Sequence, residues 1–169
     1  GGTAMGTWLL AAAQLFDTVH SLTQRHVILL TDGETQHETP QQLSQAIATV
    51  RGRFQADCRG LGAAWQVDEV RRIAQALMGT VDLIPRREDM ALEFESLMRT
   101  SMGRGVASAS LRVWAPQGAE VLFVRQVAPT LEDMTNRRQS VNPLTGSYPT
   151  GSWGDESRDF HVAVRLPAK

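Results

Sequence analysis

The feature that most constrains this chain is an alternation between two hydrophobic periods over its first hundred residues. Residues 27–30, Val-Ile-Leu-Leu, form a near-continuous apolar run closed by Asp32-Gly33. A short run of this kind suits a strand covered on both faces, as in a parallel sheet with flanking helices. Before it, Met5, Trp8, Leu9, Ala12, Phe16 and Val19 recur at helical spacing after a Gly1-Gly2-Thr3 turn. After it, Thr39-Pro40-Gln41-Gln42 reads as a helix start, with a Thr cap, Pro in the first position and Gln three residues past the cap. Leu43, Ile47 and Val50 supply the buried face of that helix.

The pattern repeats with a strand over 54–61, a helix over 67–78 with Gly79 as its C-terminal cap, and a strand over 81–84 closed by Pro85. A last helix over 89–102 carries Met90, Phe94, Leu97 and Met98 on one stripe and stops at Gly103. The order α-β-α-β-α-β-α predicts right-handed crossovers and a doubly wound parallel sheet of the Rossmann-like, three-layer α/β class.

Beyond Gly105 the period falls to about two, in Ala109, Leu111 and Val113, in 121–124, and in Phe160, Val162, Val164 and Leu166. This predicts a small antiparallel, sandwich-like β module. Residues 128–159 are polar and rich in turn formers and read as one long connection. The expected organisation is an α/β part over 1–103 and a β-rich module over 104–169, with no internal repeat.

Bulk charge narrows the function by exclusion. The formal net charge of -1 offers no global field to draw nucleic acid or an anionic membrane. Sixteen of the seventeen basic residues are Arg, and the pairs Arg71-Arg72, Arg86-Arg87 and Arg137-Arg138 are dispersed among acids, as solvated faces rather than a phosphate track. One cysteine, Cys58, rules out an internal disulfide and a Cys-rich zinc cluster from this chain alone. It lies in an expected strand with no His nearby in sequence, as a small buried hydrophobe would. The longest apolar run falls far short of the roughly 18 residues that a membrane span needs, so no membrane insertion is expected, and a cytoplasmic location is.

The chemistry that remains concentrates at two loops. Thr3 stands at the start of the first helix, and Thr31-Asp32-Gly33 ends the first strand at its carboxyl edge, where open α/β sheets bind ligands. A hydroxyl and a carboxylate on adjacent loops are hard oxygen donors suited to Mg2+, with Mn2+ or Ca2+ as alternatives. Each has a bland reading, Thr3 as a helix cap and Asp-Gly as an ordinary turn. His20, His26, His37 and His161 show no metal-like spacing and read as solvated loop residues, with His37 close enough after Asp32 to line a rim. Trp114 and Trp153 read first as core. Gly60-Leu61-Gly62 fails as a dinucleotide fingerprint, because Trp65 occupies the third glycine position.

The two loops together resemble a known family. Gly1-Gly2-Thr3-Ala4-Met5-Gly6 resembles the second metal-site loop of von Willebrand factor A domains, and residues 27–33, Val-Ile-Leu-Leu-Thr-Asp-Gly, resemble the third. The resemblance covers about residues 1–102. Residues 57–62, Asp-Cys-Arg-Gly-Leu-Gly, and 151–156, Gly-Ser-Trp-Gly-Asp-Glu, are similar to bacterial, actinobacterial members. It implies a metal-ion-dependent adhesion site with Thr3 and Asp32 as ligands, Gly2, Glu34 and Thr35 on the partner-facing rim, and a partner protein that completes the metal with a carboxylate. The Asp-x-Ser-x-Ser loop that the family also uses does not occur in this sequence. The implied ligands from it would lie upstream of Gly1, and the chain reads as lacking the N-terminal part of the domain.

Three function classes follow. The first is metal-assisted protein binding without catalysis. The second is a structural or regulatory subunit that docks on a larger assembly, such as an ATPase, without the metal. The third is a Mg2+-dependent hydrolase built on Asp32, for which neither a second close carboxylate, a basic clamp nor a nucleophile elbow is visible.

Overall fold

The protein was analysed as a computed structural model that describes residues 3–19, 21, 24–32, 37–62 and 67–167, without the side chain of Val67. Its internal contacts divide the chain into two compact units, Gly1–Gly103 and Arg104–Lys169.

The first unit contains helices α1 (Met5–Asp17), α2 (Pro40–Val50), α3 (Val67–Ala76) and α4 (Met90–Met102), and strands β1 (His26–Thr31), β2 (Gln55–Leu61) and β3 (Val81–Ile84). The strands form a parallel sheet in the order β1-β2-β3. The pleat sorts their side chains into two unlike faces. Val27, Leu29, Ala56, Cys58 and Val81 lie on one face and share a core with Met5 and Leu9 of α1, Leu43 and Ile47 of α2, Ile73 of α3 and Leu77 just past it. Most of these side chains are fully buried, each contributing about 1.5–3 kcal/mol. Described strands succeed one another in a single direction, and the reversal of order that a doubly wound sheet requires is not among the described residues.

The second face is mixed, with Ile28, Leu30, Leu61 and the buried Ile84 set among polar residues. His26, Asp57 and Arg59 share it, and α4 covers it through hydrogen bonds. His26 Nδ1 lies 2.6 Å from Ser101 Oγ, and His26 Nε2 lies 2.8 Å from Asp57 Oδ2. Asp57 Oδ1 accepts from both the backbone N–H and the hydroxyl of Thr80, at 2.6 and 2.9 Å. Arg59 donates to Glu93 of α4 at 3.2 Å and to the Cys58 carbonyl at 3.0 Å. Two sequence expectations change as a result. His26 is a buried network residue rather than a solvated loop histidine, and the α4 stripe is not the seam predicted from its period. Met90, Phe94 and Met98 remain about 40% exposed, and of this stripe Leu97 alone is buried.

Local rules explain the ends of α2 and α3. The Thr39 hydroxyl accepts from the Gln42 N–H while the Gln42 side chain accepts from the Thr39 N–H, a complete capping box with Pro40 behind it. At the end of α3 it is Met78 that adopts the left-handed conformation, with φ 57°. Gly79 is required for a different reason: a Cβ there would stand 1.8 Å from the Ala56 carbonyl oxygen. The helix is turned back so tightly that its exit runs against β2.

The second unit holds two three-stranded antiparallel sheets, β4-β8-β7 and β6-β5-β9. Their strands are β4 (Val106–Trp114), β5 (Glu120–Ala128), β6 (Glu132–Asp133), β7 (Gln139–Asn142), β8 (Thr145–Trp153) and β9 (Asp159–Arg165). Val124, Met134 and Tyr148 form the buried centre, with Leu111, Val113, Val121 and Phe160 around them, so both sheets contribute to one core. The expected long connection over 128–159 is corrected: it contains three strands. Asn142 and Leu144 frame the turn of the β7–β8 hairpin, and β8 is the central strand of its sheet, with six of its nine residues buried and none exposed. Its glycines, Ser and Thr hid it from a search for alternating large apolar residues. Trp114 is also corrected, being 65% exposed rather than core.

Candidate functional site

The carboxyl edge of the parallel sheet gathers the ends of β1 and β3 with the start of α1. Asp32 follows β1 directly and is exposed. Its Oδ2 lies 3.9 Å from Arg87 Nη2, on the short 3-10 turn Arg87–Asp89 that follows β3. Both side chains are largely solvated, so this pair contributes little to stability. It does place a cation beside the carboxylate at the sheet edge.

Thr3 is half-buried just before α1. It is not the helix cap: that position belongs to Ala4, which makes no side-chain capping bond. The first-turn N–H of Gly6 donates instead to Glu38 Oε1 at 2.6 Å. A carboxylate at a helix N-terminus satisfies an otherwise unpaired donor and meets the positive end of the helix dipole. The His37 N–H donates to the Thr3 carbonyl at 3.3 Å. Residues 37 and 38 are therefore fastened to the start of α1 at two points.

Glu38 was not singled out from sequence. Its role depends on the fold alone, since 32 residues separate it from its partner Gly6. Gly6 is needed there, because a Cβ would come within 2.7 Å of Glu38 Oε2. His37 is exposed and reaches the edge through its backbone. Gly2, Glu34 and Thr35, the expected rim, lie outside the described residues.

A divalent cation can be judged against these donors. Hydroxyl and carboxylate oxygen suit Mg2+, Mn2+ or Ca2+, and the Thr3 hydroxyl is not committed to capping. Among the described residues, no three His, Cys, Asp or Glu side chains come together as a metal-binding group. The donors present fit part of a coordination shell. No reactive thiol adds to them: Cys58 is fully buried on the apolar face, and burial pushes its pKa up to about 12, with Asp57 adding to the rise. Among the described residues no helix is long and apolar enough to cross a membrane.

Comparison with known proteins agrees with this architecture. Residues 1–83 match the family model of the von Willebrand factor type A domain. A solved structure of a von Willebrand factor type A protein from Catenulispora acidiphila is 48% identical and superposes with a TM-score of 0.95, covering 100% of this chain and 40% of its own. An uncharacterized protein of Synechocystis is 28% identical over 146 residues, which is 83% of this chain and 34% of that protein. The chain thus spans two fifths or less of the length of these relatives.

Proposed function

Since this chain belongs to the von Willebrand factor type A family, with the family match over residues 1–83, we propose that it is a protein-binding module and not an enzyme, and that binding is assisted by a divalent cation at the carboxyl edge of the parallel sheet. Thr3 and Asp32 would be the ligands this chain supplies. The ion, when bound, offers an open position to a carboxylate of the partner protein. Gly2, Glu34 and Thr35 would form the rim, and we place the module in the cytoplasm.

The observation that supports this reading is the double fastening of the post-Asp32 segment to the start of α1, through His37 to Thr3 and Glu38 to Gly6. A ligand pair on two loops recognises an ion only if the loops hold a fixed separation, and these bonds tie the chain a few residues past Asp32 to the start of α1. Glu38 acts here as a positioning residue. The test is retention of binding proteins on the immobilised protein in Mg2+ and in EDTA, with the Asp32→Ala variant beside it. Retention lost in EDTA and lost in the variant supports the proposal.

One observation favours a second reading, a structural subunit that docks without metal. Arg87 already stands opposite Asp32, and the described residues supply no three-acid cluster. Retention unchanged by EDTA and by Asp32→Ala, but reduced by Arg87→Ala, would select it.

A further inference from the structure

At one end of the second unit, a cleft of about 410 Å³ opens between the two sheets. Its lining is mixed: the apolar side chains of Val113 from β4, Ala115 just after it, Val121 from β5 and Leu144 from the β7–β8 turn alternate with Gln117 and polar backbone of the β4–β5 loop. Arg138 is the charged residue of the lining. The other arginines of this unit that lie beside acids are satisfied, Arg125 by Asp133, Arg137 by Glu132, Arg158 by Glu156 and Arg165 by Glu120. Arg138 forms no ion pair among the described residues, and no acid lines the cleft.

The position of Arg138 is built into the strand beneath it. Gly146 pairs with Val113 on one side and Ser140 on the other, at the centre of its sheet. A Cβ on Gly146 would stand 2.8 Å from Arg138 Nε, 3.1 Å from its Cγ and 3.1 Å from Tyr148 Cε2. The arginine stem lies flat across a backbone that only glycine leaves bare, next to the buried Tyr148 ring. The Ala115 N–H donates to the Leu144 carbonyl at 2.9 Å and joins two sides of the cleft.

We propose that this cleft is a docking site for an acidic peptide segment of a partner protein, an Asp or Glu flanked by apolar residues. The carboxylate takes the Arg138 guanidinium, whose planar fork matches it in two parallel hydrogen bonds. The flanking side chains take the apolar patches at Val113, Val121 and Leu144. A volume of this size falls in the range of ligand sites and suits one or two side chains rather than a helix. Complementary charge selects the occupant: an apolar peptide leaves the guanidinium without a partner, and a basic one opposes it. This site involves neither Thr3 nor Asp32 and stands apart from the metal-assisted reading.

The test uses the 169-residue protein, 15N-labelled, in EDTA so that any metal site is silent. The probes are blocked tripeptides Ac-X-Glu-X-NH2 with X as Val, Leu, Met or Phe, each beside its Gln counterpart. The expected result is saturable shifts at Val113, Val121, Leu144 and the Arg138 side-chain N–H for at least one Glu peptide, with binding at least ten-fold weaker for its Gln partner. Arg138→Gln should abolish the difference between Glu and Gln peptides, and Gly146→Ala should weaken Glu binding by displacing the guanidinium. Arg165→Gln, paired elsewhere, should leave it unchanged. No shifts with any Glu peptide, equal shifts with Gln peptides, or a Glu preference that survives Arg138→Gln would overturn the proposal.

Discussion

Replacing Asp57 with alanine should damage the first unit more than any surface change, and the size of the loss can be worked from its contacts. The side chain is 2% exposed and holds the Thr80 N–H, the Thr80 hydroxyl and His26 Nε2 within 2.9 Å. Each of these bonds to a charged group contributes about 1.5–3 kcal/mol, and contributions within one network are not additive. Removing one partner of a buried ionic or hydrogen-bonded pair costs about 3–5 kcal/mol, and alanine leaves the Thr80 N–H and the imidazole without a replacement. We therefore expect a loss of about 4 kcal/mol, a large part of the roughly 5–15 kcal/mol that stabilises an ordinary domain. Asp57→Asn keeps the shape and an acceptor for Thr80, and should lose only about 1–2 kcal/mol. Urea denaturation followed by circular dichroism at 222 nm is the assay, since the four described α-helices all belong to this unit. A loss below about 1 kcal/mol for alanine, or equal losses for alanine and asparagine, would refute the view that this carboxylate fastens β2 to His26 and Thr80.

Further predictions rest on single features. Thr39→Ala removes the capping hydroxyl of α2 and should cost about 1 kcal/mol in the same titration, with Thr39→Ser close to the parent. Gly79→Ala forces a methyl against the Ala56 carbonyl and should cost about 3 kcal/mol or more, visible as loss of soluble folded protein or a lowered urea midpoint. Cys58 should resist a thiol reagent at pH 8 in the folded protein and react at once in urea. Its folded pKa is raised from 9.0 to about 12, so the unfolded chain releases its proton first. The stability linked to this thiol is intact below about pH 9 and falls as pH rises from there towards 12, a trend that Cys58→Ala should flatten.

Legibility in the sequence followed the source of each signal. β1 and β3 were readable because short apolar runs ended at Asp32-Gly33 and Pro85, and α2 because its capping box is local chemistry. The length of β8 was not, since glycine, serine and threonine fill a central strand whose burial comes from its neighbours on both sides. The exposure of Met90, Phe94 and Met98 was equally invisible, because helical period reports which residues share a face and not what lies opposite it. At the candidate site, Thr3 and Asp32 stood out by type and position. Glu38 and Arg87 did not, because both arrive from distant segments: Glu38 meets Gly6 across 32 residues, and Arg87 comes from beyond β3.

The central claim is that Thr3 and Asp32 form part of a cation site. Its most direct test is Mn2+ titrated into the 15N-labelled protein, with paramagnetic broadening read residue by residue. The account predicts saturable broadening centred on Thr3, Asp32, His37 and Glu38, reversed by excess Mg2+ and at least ten-fold weaker in Asp32→Ala. Broadening centred elsewhere, or identical in Asp32→Ala, would contradict it.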